Sequence, residues 1–334
     1  MAATDPAPCF IVGNDRSGTT MLRLVLDRGP DLAIPPESMF LTDYADVFER
    51  GGPGAAEAQA LMDAVWRHPK VRLWDLPGPP PAVPAGLGGA DAYRWIAAAP
   101  FVAYAAKHGK PRWGDKTPHY VHHIDHLLAV WPRARFVVLV RDGRDVAVSL
   151  RRMPFGPNNA WAAAQWWARG IRAGRRAREQ HPEAVLMVRY EDVARRPHDE
   201  VPQICAFLGV RYRDDMLALE QADRGKIVAD QAGWFPTIFD GINTDAVDRW
   251  QRELRPRDQR VFAALAGDEL RALGYDAVPR GTTAPSRLQE RWFHYHNEAM
   301  RNVNFLRLRL VQERGREVRL ALARRLRDPV KRAG

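Results

Sequence analysis

Residues 9–23 read Cys9-Phe10-Ile11-Val12-Gly13-Asn14-Asp15-Arg16-Ser17-Gly18-Thr19-Thr20-Met21-Leu22-Arg23. The opening run is apolar without a break, as in a strand buried on both faces of a parallel sheet. From Thr19 onward apolar residues recur at helical spacing. Between strand and helix lies a turn carrying Gly13 and Gly18. Such a turn offers exposed backbone N–H groups and the positive end of a helix dipole to an anion. The stretch predicts an α/β protein that holds phosphate oxygens at the end of its first strand.

The same alternation continues through the first 280 residues and predicts a mostly parallel central sheet flanked by helices. Strands are predicted at Cys9–Gly13, Ala33–Pro35, Arg112–Asp115, Arg135–Arg141 and Ala184–Tyr190, with helices beginning near Thr19, Ala55, Asp91, Tyr120, Asp145 and Asn158. Leu76–Gly89 is too rich in Pro and Gly for a helix or a central strand, and reads as a surface excursion or lid. No internal repeat is present. The organisation expected is one α/β domain over 1–275, a breaker-rich linker over 276–286 and a basic amphipathic helical tail over 287–334. In the tail Ala299, Val303, Leu306 and Leu310 recur at helical spacing, a stripe suited to packing on the body, on a second copy or on a membrane surface.

Composition narrows the function. The formal net charge is +10, but Gly281–Gly334 holds 13 basic and 5 acidic residues, which leaves only +2 for the remainder. The body is nearly balanced, which argues against a nucleic-acid partner. Two cysteines in separate elements argue against a disulfide framework and fit a reducing cytoplasm. No stretch approaches the apolar length of a membrane span, and the N-terminus lacks the features of a signal peptide. High use of Ala, Arg, Gly and Pro suggests a GC-rich bacterial genome.

Gly13 and Gly18 have the spacing of the Walker A loop, G-x-x-x-x-G-K-[ST], yet Thr19 stands where that motif has lysine. A nucleoside triphosphatase needs that lysine on its terminal phosphates. Its absence argues against a P-loop kinase or NTPase, and the positive charge moves to Arg16. A second element, Arg135–Leu150, reads RFVVLVRDGRDVAVSL. There a strand ends in Arg141, and a turn leads to a helix bearing Ser149. A guanidinium at a strand's carboxyl end faces the crevice where open α/β sheets bind ligands, and can hold a phosphate bidentately. A strand-end Arg–Asp network that merely ties the sheet is the alternative.

DRSGTTMLR followed about 120 residues later by VRDGRDVAVSL resembles the sulfotransferases that use 3′-phosphoadenosine 5′-phosphosulfate (PAPS). WGDKTPHY and VRYEDV lie where that family has further active-site segments. The resemblance covers residues 9–275 and is closer to bacterial and tyrosylprotein-type members than to cytosolic ones. It implies a P-loop-like three-layer α/β fold and an enzyme that releases 3′,5′-ADP. By that resemblance Ser17, Gly18, Thr19 and Thr20 wrap the 5′-phosphosulfate, while Arg16 and Lys116 act at the transferring group. Arg141 and Ser149 grip the 3′-phosphate. Tyr190 falls at an adenine contact, with a strand-end core aromatic as its other reading.

Sulfuryl transfer through a loose in-line transition state needs positioning and charge more than covalent chemistry, so no Mg²⁺ is expected. The acceptor proton needs a base. Glu37 in IPPESMF is the first candidate, with burial expected to raise its pKa; His119 is the second. Asp15 and Asn14 depart from the family loop, and Asp15 is expected to pair with Arg16. His119, His122, His123 and His126 share helical spacing, but the family uses no metal and none is expected. Trp161, Trp166 and Trp167 read as core anchors, and Gln231–Phe239 as a candidate acceptor wall. A small-molecule, carbohydrate or lipid hydroxyl or amine is the expected acceptor. A non-catalytic nucleotide-binding scaffold is the remaining alternative.

Overall fold

In the computed structural model, which describes residues 7–151, 153, 156–222, 225, 238–276, 284–304 and 306, the opening strand β1 (Cys9–Gly13) is buried at every position. It lies at the centre of a parallel sheet ordered β2-β3-β1-β4-β5. The other strands are β2 (Leu32–Ala33), β3 (Arg112–Lys116), β4 (Arg135–Val140) and β5 (Val185–Arg189). The helices in chain order are α1 (Thr19–Arg28), α2 (Phe40–Asp43), α3 (Ala45–Glu49), α4 (Ala55–Arg67), α5 (Gly89–Lys107) and α6 (Ile124–Val130). They continue with α7 (Gly143–Leu150), α8 (Ala160–Gln180), α9 (Tyr190–Arg195), α10 (Pro197–Leu208), α11 (Trp250–Glu253) and α12 (Pro256–Ala272).

The chain falls into two compact units. One comprises Met1–Asp142 with Ala168–Asp248, the other Gly143–Trp167 with Arg249–Gly334. The first holds the whole sheet. Alternate residues of β1 serve opposite faces, as strand geometry requires. Cys9 and Ile11, with Val137 and Leu139 of β4, pack against Leu22, Val25 and Leu26 of α1 and Ile204 and Leu208 of α10. On the other face Phe10 stacks on Phe136 at 4.9 Å, and Trp113 stacks on Phe101 of α5 at 4.6 Å. Burial of each phenylalanine contributes about 2–3 kcal/mol. Gly174 lets α8 approach this face, because a Cβ there would lie 2.8 Å from Val138. The result is the expected three-layer α/β fold.

Some expectations shift. β2 begins one residue earlier than predicted, and Tyr190 opens α9 instead of closing β5. The helix expected from Tyr120 is a 3₁₀ turn over Pro118–His122, after which His123 leaves helical geometry and α6 begins. Leu76–Gly89 carries no strand or regular α-helix before its last residue and is largely exposed, with Val83 N–H held by Gln59 Oε1 at 2.8 Å.

In the second unit Trp167 is fully buried, and Gly143 allows it and Phe262 to close on the start of α7. A helix over 287–304 docks on residues 158–161 through Phe293, Asn297 and Asn304. Phe293 stacks on Trp161. The expected stripe is not the docking face: Val303 and Leu306 are exposed, because the polar Asn158–Asn297–Asn304 contacts set the helix's rotation. Residues 277–283 of the predicted linker and 307–334 of the tail, Leu310 included, lie outside the described residues. So do 231–237 of the candidate acceptor wall. Among the described residues, no helix is long and apolar enough to cross a membrane.

Candidate active site

The loop after β1 is shaped by three residues with positive φ. Gly13 has φ +146°, and a Cβ there would sit 2.3 Å from the Leu139 carbonyl oxygen. Gly18 has φ +90°, and a Cβ there would strike the Tyr190 ring at 2.4 Å. Arg16 itself has φ +67°. A non-glycine residue costs roughly 1–3 kcal/mol in that region and persists only where its surroundings hold it. Part of the hold comes from Arg141, whose guanidinium donates to the Arg16 carbonyl at 3.0 Å. The Asn14 side chain meets α8 at Gly170, where a Cβ would lie 2.0 Å from its Oδ1. The departure at position 14 is thus a packing feature that braces the loop.

The loop is suited to an anion. Helix α1 starts on Gly18 with no side-chain cap and no acidic residue in its first turn. Ser17 Oγ is buried and has no hydrogen-bond partner among the described residues. Burial, and then the neighbouring Arg141, push the Arg16 guanidinium below its ordinary pKa, with Asp15 opposing. Two cations are thus held together at a helix N-terminus beside an unmatched hydroxyl. Phosphate or sulfate oxygens would relieve the repulsion and satisfy the hydroxyl.

Lys116, at the end of β3, supplies the cation that position 19 lacks. Its ammonium lies 3.3 Å from Thr20 Oγ1 in the first turn of α1 and 2.6 Å from Glu37 Oε1. The lysine side chain is 5% exposed and that of Glu37 26%. Glu37 is carried on the segment after β2. Arg23 Nε donates to the Ile34 carbonyl and Asp27 accepts from Ile34 N–H, both at 2.9 Å. Ser38 N–H donates to Thr117 Oγ1 at 3.1 Å.

The expected rise in the Glu37 pKa does not occur. Burial pushes the carboxyl up, but the charge and hydrogen bond of Lys116, with Lys70 and Arg23 beyond, outweigh it and leave the carboxyl below its ordinary range. Asp15 behaves oppositely. Burial and the Glu37 charge push its carboxyl up, against Lys116, His119 and Arg16. Asp15 and Arg16 act on one another through their charges, as expected, without a close ion pair of Asp15 among the described residues.

The first unit therefore brings together Arg16, Ser17, Gly18, Thr19, Thr20, Glu37, Lys116, His119, Arg141 and Tyr190. Tyr190 is 7% exposed, lies against Gly18, and has the Arg141 guanidinium 4.8 Å over its ring. Ser149 is half-buried on α7 in the second unit. His119 is exposed, with its Nε2 3.4 Å from that of His123. Burial, then the neighbouring histidines, hold His123 below the usual imidazole range. No cluster among the described residues is fit to hold a metal ion. Sequence reading missed Asp115, Ser38, Thr117 and Tyr120, a buried polar group beneath the Glu37–Lys116 pair. Only the tripeptide Asp115-Lys116-Thr117 hinted at it.

Fold and site define a P-loop-like α/β protein with an anion cradle and a buried Lys–Glu pair beside it. The chain belongs to the Sulfotransferase family, whose model matches residues 8–214. It is 25% identical over 307 residues to nodulation protein NoeE of Sinorhizobium fredii, covering 81% of this chain and 66% of that one. It is likewise 25% identical over 249 residues to a putative protein-tyrosine sulfotransferase of Caenorhabditis briggsae, covering 72% and 79%. Among solved structures, the sulfotransferase domain of the curacin biosynthetic pathway superposes with a TM-score of 0.58 at 20% identity, over 82% of this chain and 99% of that one. That of the Synechococcus PCC 7002 olefin synthase gives 0.55 at 25% identity, over 84% and 99%.

Proposed function

We propose that this enzyme moves a sulfuryl group from PAPS to a hydroxyl or amine of its acceptor. The observation that carries the reading is Lys116. A loop suited to phosphate oxygens lacks the Walker lysine, and its cation comes instead from β3, in contact with both Thr20 and Glu37. PAPS supplies an activated sulfate and a good leaving group. Ser17, Gly18, Thr19 and Thr20 would hold its 5′-phosphosulfate, and Arg141 its 3′-phosphate. Arg16 and Lys116 stabilise charge on the leaving oxygen without metal. Glu37 takes the acceptor proton on a carboxylate oxygen as the acceptor bonds to sulfur. Its lowered pKa makes it a weak base while Lys116 stays on it, and a stronger one once Lys116 is drawn to the reacting group. His119 is the alternative base.

A small-molecule, carbohydrate or lipid hydroxyl is the acceptor class we favour, and the names of the relatives add peptide tyrosine to the panel to be assayed. A cytoplasmic location belongs to the same reading, supported by two cysteines that are both free and buried.

Thermal stabilisation by 3′,5′-ADP, ADP and ATP–Mg²⁺ tests the donor. A ligand at 100 times its dissociation constant adds about 2.7 kcal/mol to the folded state. The largest shift is expected with 3′,5′-ADP in EDTA; preference for ATP–Mg²⁺ would overturn the reading in favour of a phosphotransferase. Transfer of label from [³⁵S]PAPS to an acceptor panel then tests the reaction itself.

A further inference from the structure

We propose that Asp115 is a positioning residue of this site, holding Glu37 against Lys116 by anchoring Ser38 through a buried hydrogen-bond network. The inference rests on the sulfotransferase reading only for its activity readout. Asp115 immediately precedes Lys116 and Ser38 immediately follows Glu37, so the network ties the backbone next to both members of the ion pair. Asp115, Ser38, Thr117 and Tyr120 are each wholly buried.

Two chains of hydrogen bonds meet at Thr117, whose hydroxyl donates to the Asp115 carboxyl. In the first, Ser38 N–H donates to Thr117 Oγ1 at 3.1 Å, and that hydroxyl donates to Asp115 Oδ1 at 3.3 Å. In the second, Leu41 N–H donates to Tyr120 Oη at 3.1 Å, and that hydroxyl shares a hydrogen bond with Ser38 Oγ at 2.9 Å. The Ser38 hydroxyl in turn lies 3.4 Å from Thr117 Oγ1. Remove Asp115 and the Thr117 hydroxyl, where both chains meet, loses its acceptor.

Such a group is costly to keep in a core. Asp115 Oδ2 is buried with no hydrogen-bond partner among the described residues. An apolar residue there would avoid that desolvation penalty. Burial pushes the carboxyl up to about 7, with Glu37 adding to it and Thr117, Ser38 and Lys116 opposing. Around pH 7 the carboxyl is thus divided between acid and carboxylate, and asparagine reproduces the shape of the uncharged form.

The test compares Asp115→Asn, Asp115→Leu and Thr117→Val with wild type, reading kcat, the 3′,5′-ADP dissociation constant, thermal stability and the Glu37 pKa by carboxylate NMR. Asp115→Leu and Thr117→Val are expected to lower kcat by roughly 10- to 100-fold, the size of effect a small misplacement of reacting groups produces. They should leave 3′,5′-ADP affinity within about threefold, and the Glu37 pKa should rise as its pairing with Lys116 loosens. Asp115→Asn should restore kcat to within about threefold. Its stability relative to wild type should also climb between about pH 4 and pH 7. The sign follows from linkage: over that window folded wild type keeps a proton that the unfolded chain has released, so its stability falls as pH rises, and asparagine removes the effect.

Wild-type kcat and an unmoved Glu37 pKa in Asp115→Leu or Thr117→Val would overturn the proposal. So would a folded Asp115→Asn as impaired as the leucine variant. Should wild type transfer no sulfate, the functional reading fails alone, because the Glu37 titration still judges the positioning role. Thr117→Val serves if Asp115→Leu does not fold.

Discussion

Glu37 shows how one contact reverses the sense of a pKa. Burial alone would make this carboxyl a stronger base, and the ammonium of Lys116 at 2.6 Å cancels that. The stability this pairing contributes is present above the ordinary carboxylate range and is lost as pH falls through the lowered Glu37 value. Replacing Lys116 by Ala leaves burial opposed only by the more distant cations. NMR titration of that variant should show the Glu37 pKa rising, while single-turnover transfer should slow by roughly 10²- to 10³-fold through loss of a charge at the leaving oxygen. An unchanged Glu37 pKa would show that Lys116 is not what holds the carboxyl down. The identities of Glu37 and Lys116 were legible from their motifs; the direction of the shift was not, because 79 positions separate the partners.

At the scale of elements, the strand–loop–helix unit is the most local feature of the site and the one read most fully from sequence. Its residues are contiguous, and its glycines sit where backbone geometry admits little else. Gly18 meets two demands at once, a positive φ and close approach of the Tyr190 ring. Gly18→Ala should abolish most of the thermal shift given by 3′,5′-ADP, since the added methyl must displace Tyr190 or the loop, and isothermal titration should show the same loss of affinity. A variant that binds normally would mean that the loop tolerates displacement of Tyr190. Tyr190 also explains why its own role was ambiguous in the sequence: VRYEDV reads equally as a ligand contact or a core ring. The structure places the ring between Gly18 and Arg141.

For the whole molecule, the sheet order and the grouping of distant segments bear on stability. In the second unit the helix over 287–304 meets residues 158–161 across more than a hundred positions, with Phe293 stacked on Trp161. Phe293→Ala should lower the unfolding free energy of that unit by about 3 kcal/mol, measured by urea denaturation, because a buried ring is replaced by a cavity. A loss under about 1 kcal/mol would mean that the asparagine contacts alone hold the helix. The sequence by itself determined the α/β class, the five strands to within a residue or two and the anion-binding loop. These follow from apolar period, glycine placement and helix polarity, all of which act over a few neighbouring residues. It also determined, through two motifs, the family to which the chain belongs. Only the tertiary structure decided that Lys116 reaches Thr20, that Glu37 is held as a carboxylate, that Asp115 closes a buried network and which face of the last helix is docked. Each depends on side chains brought together across the sheet or between helices, where burial, charge and hydrogen bonding act over a few ångströms of space whatever the separation along the chain.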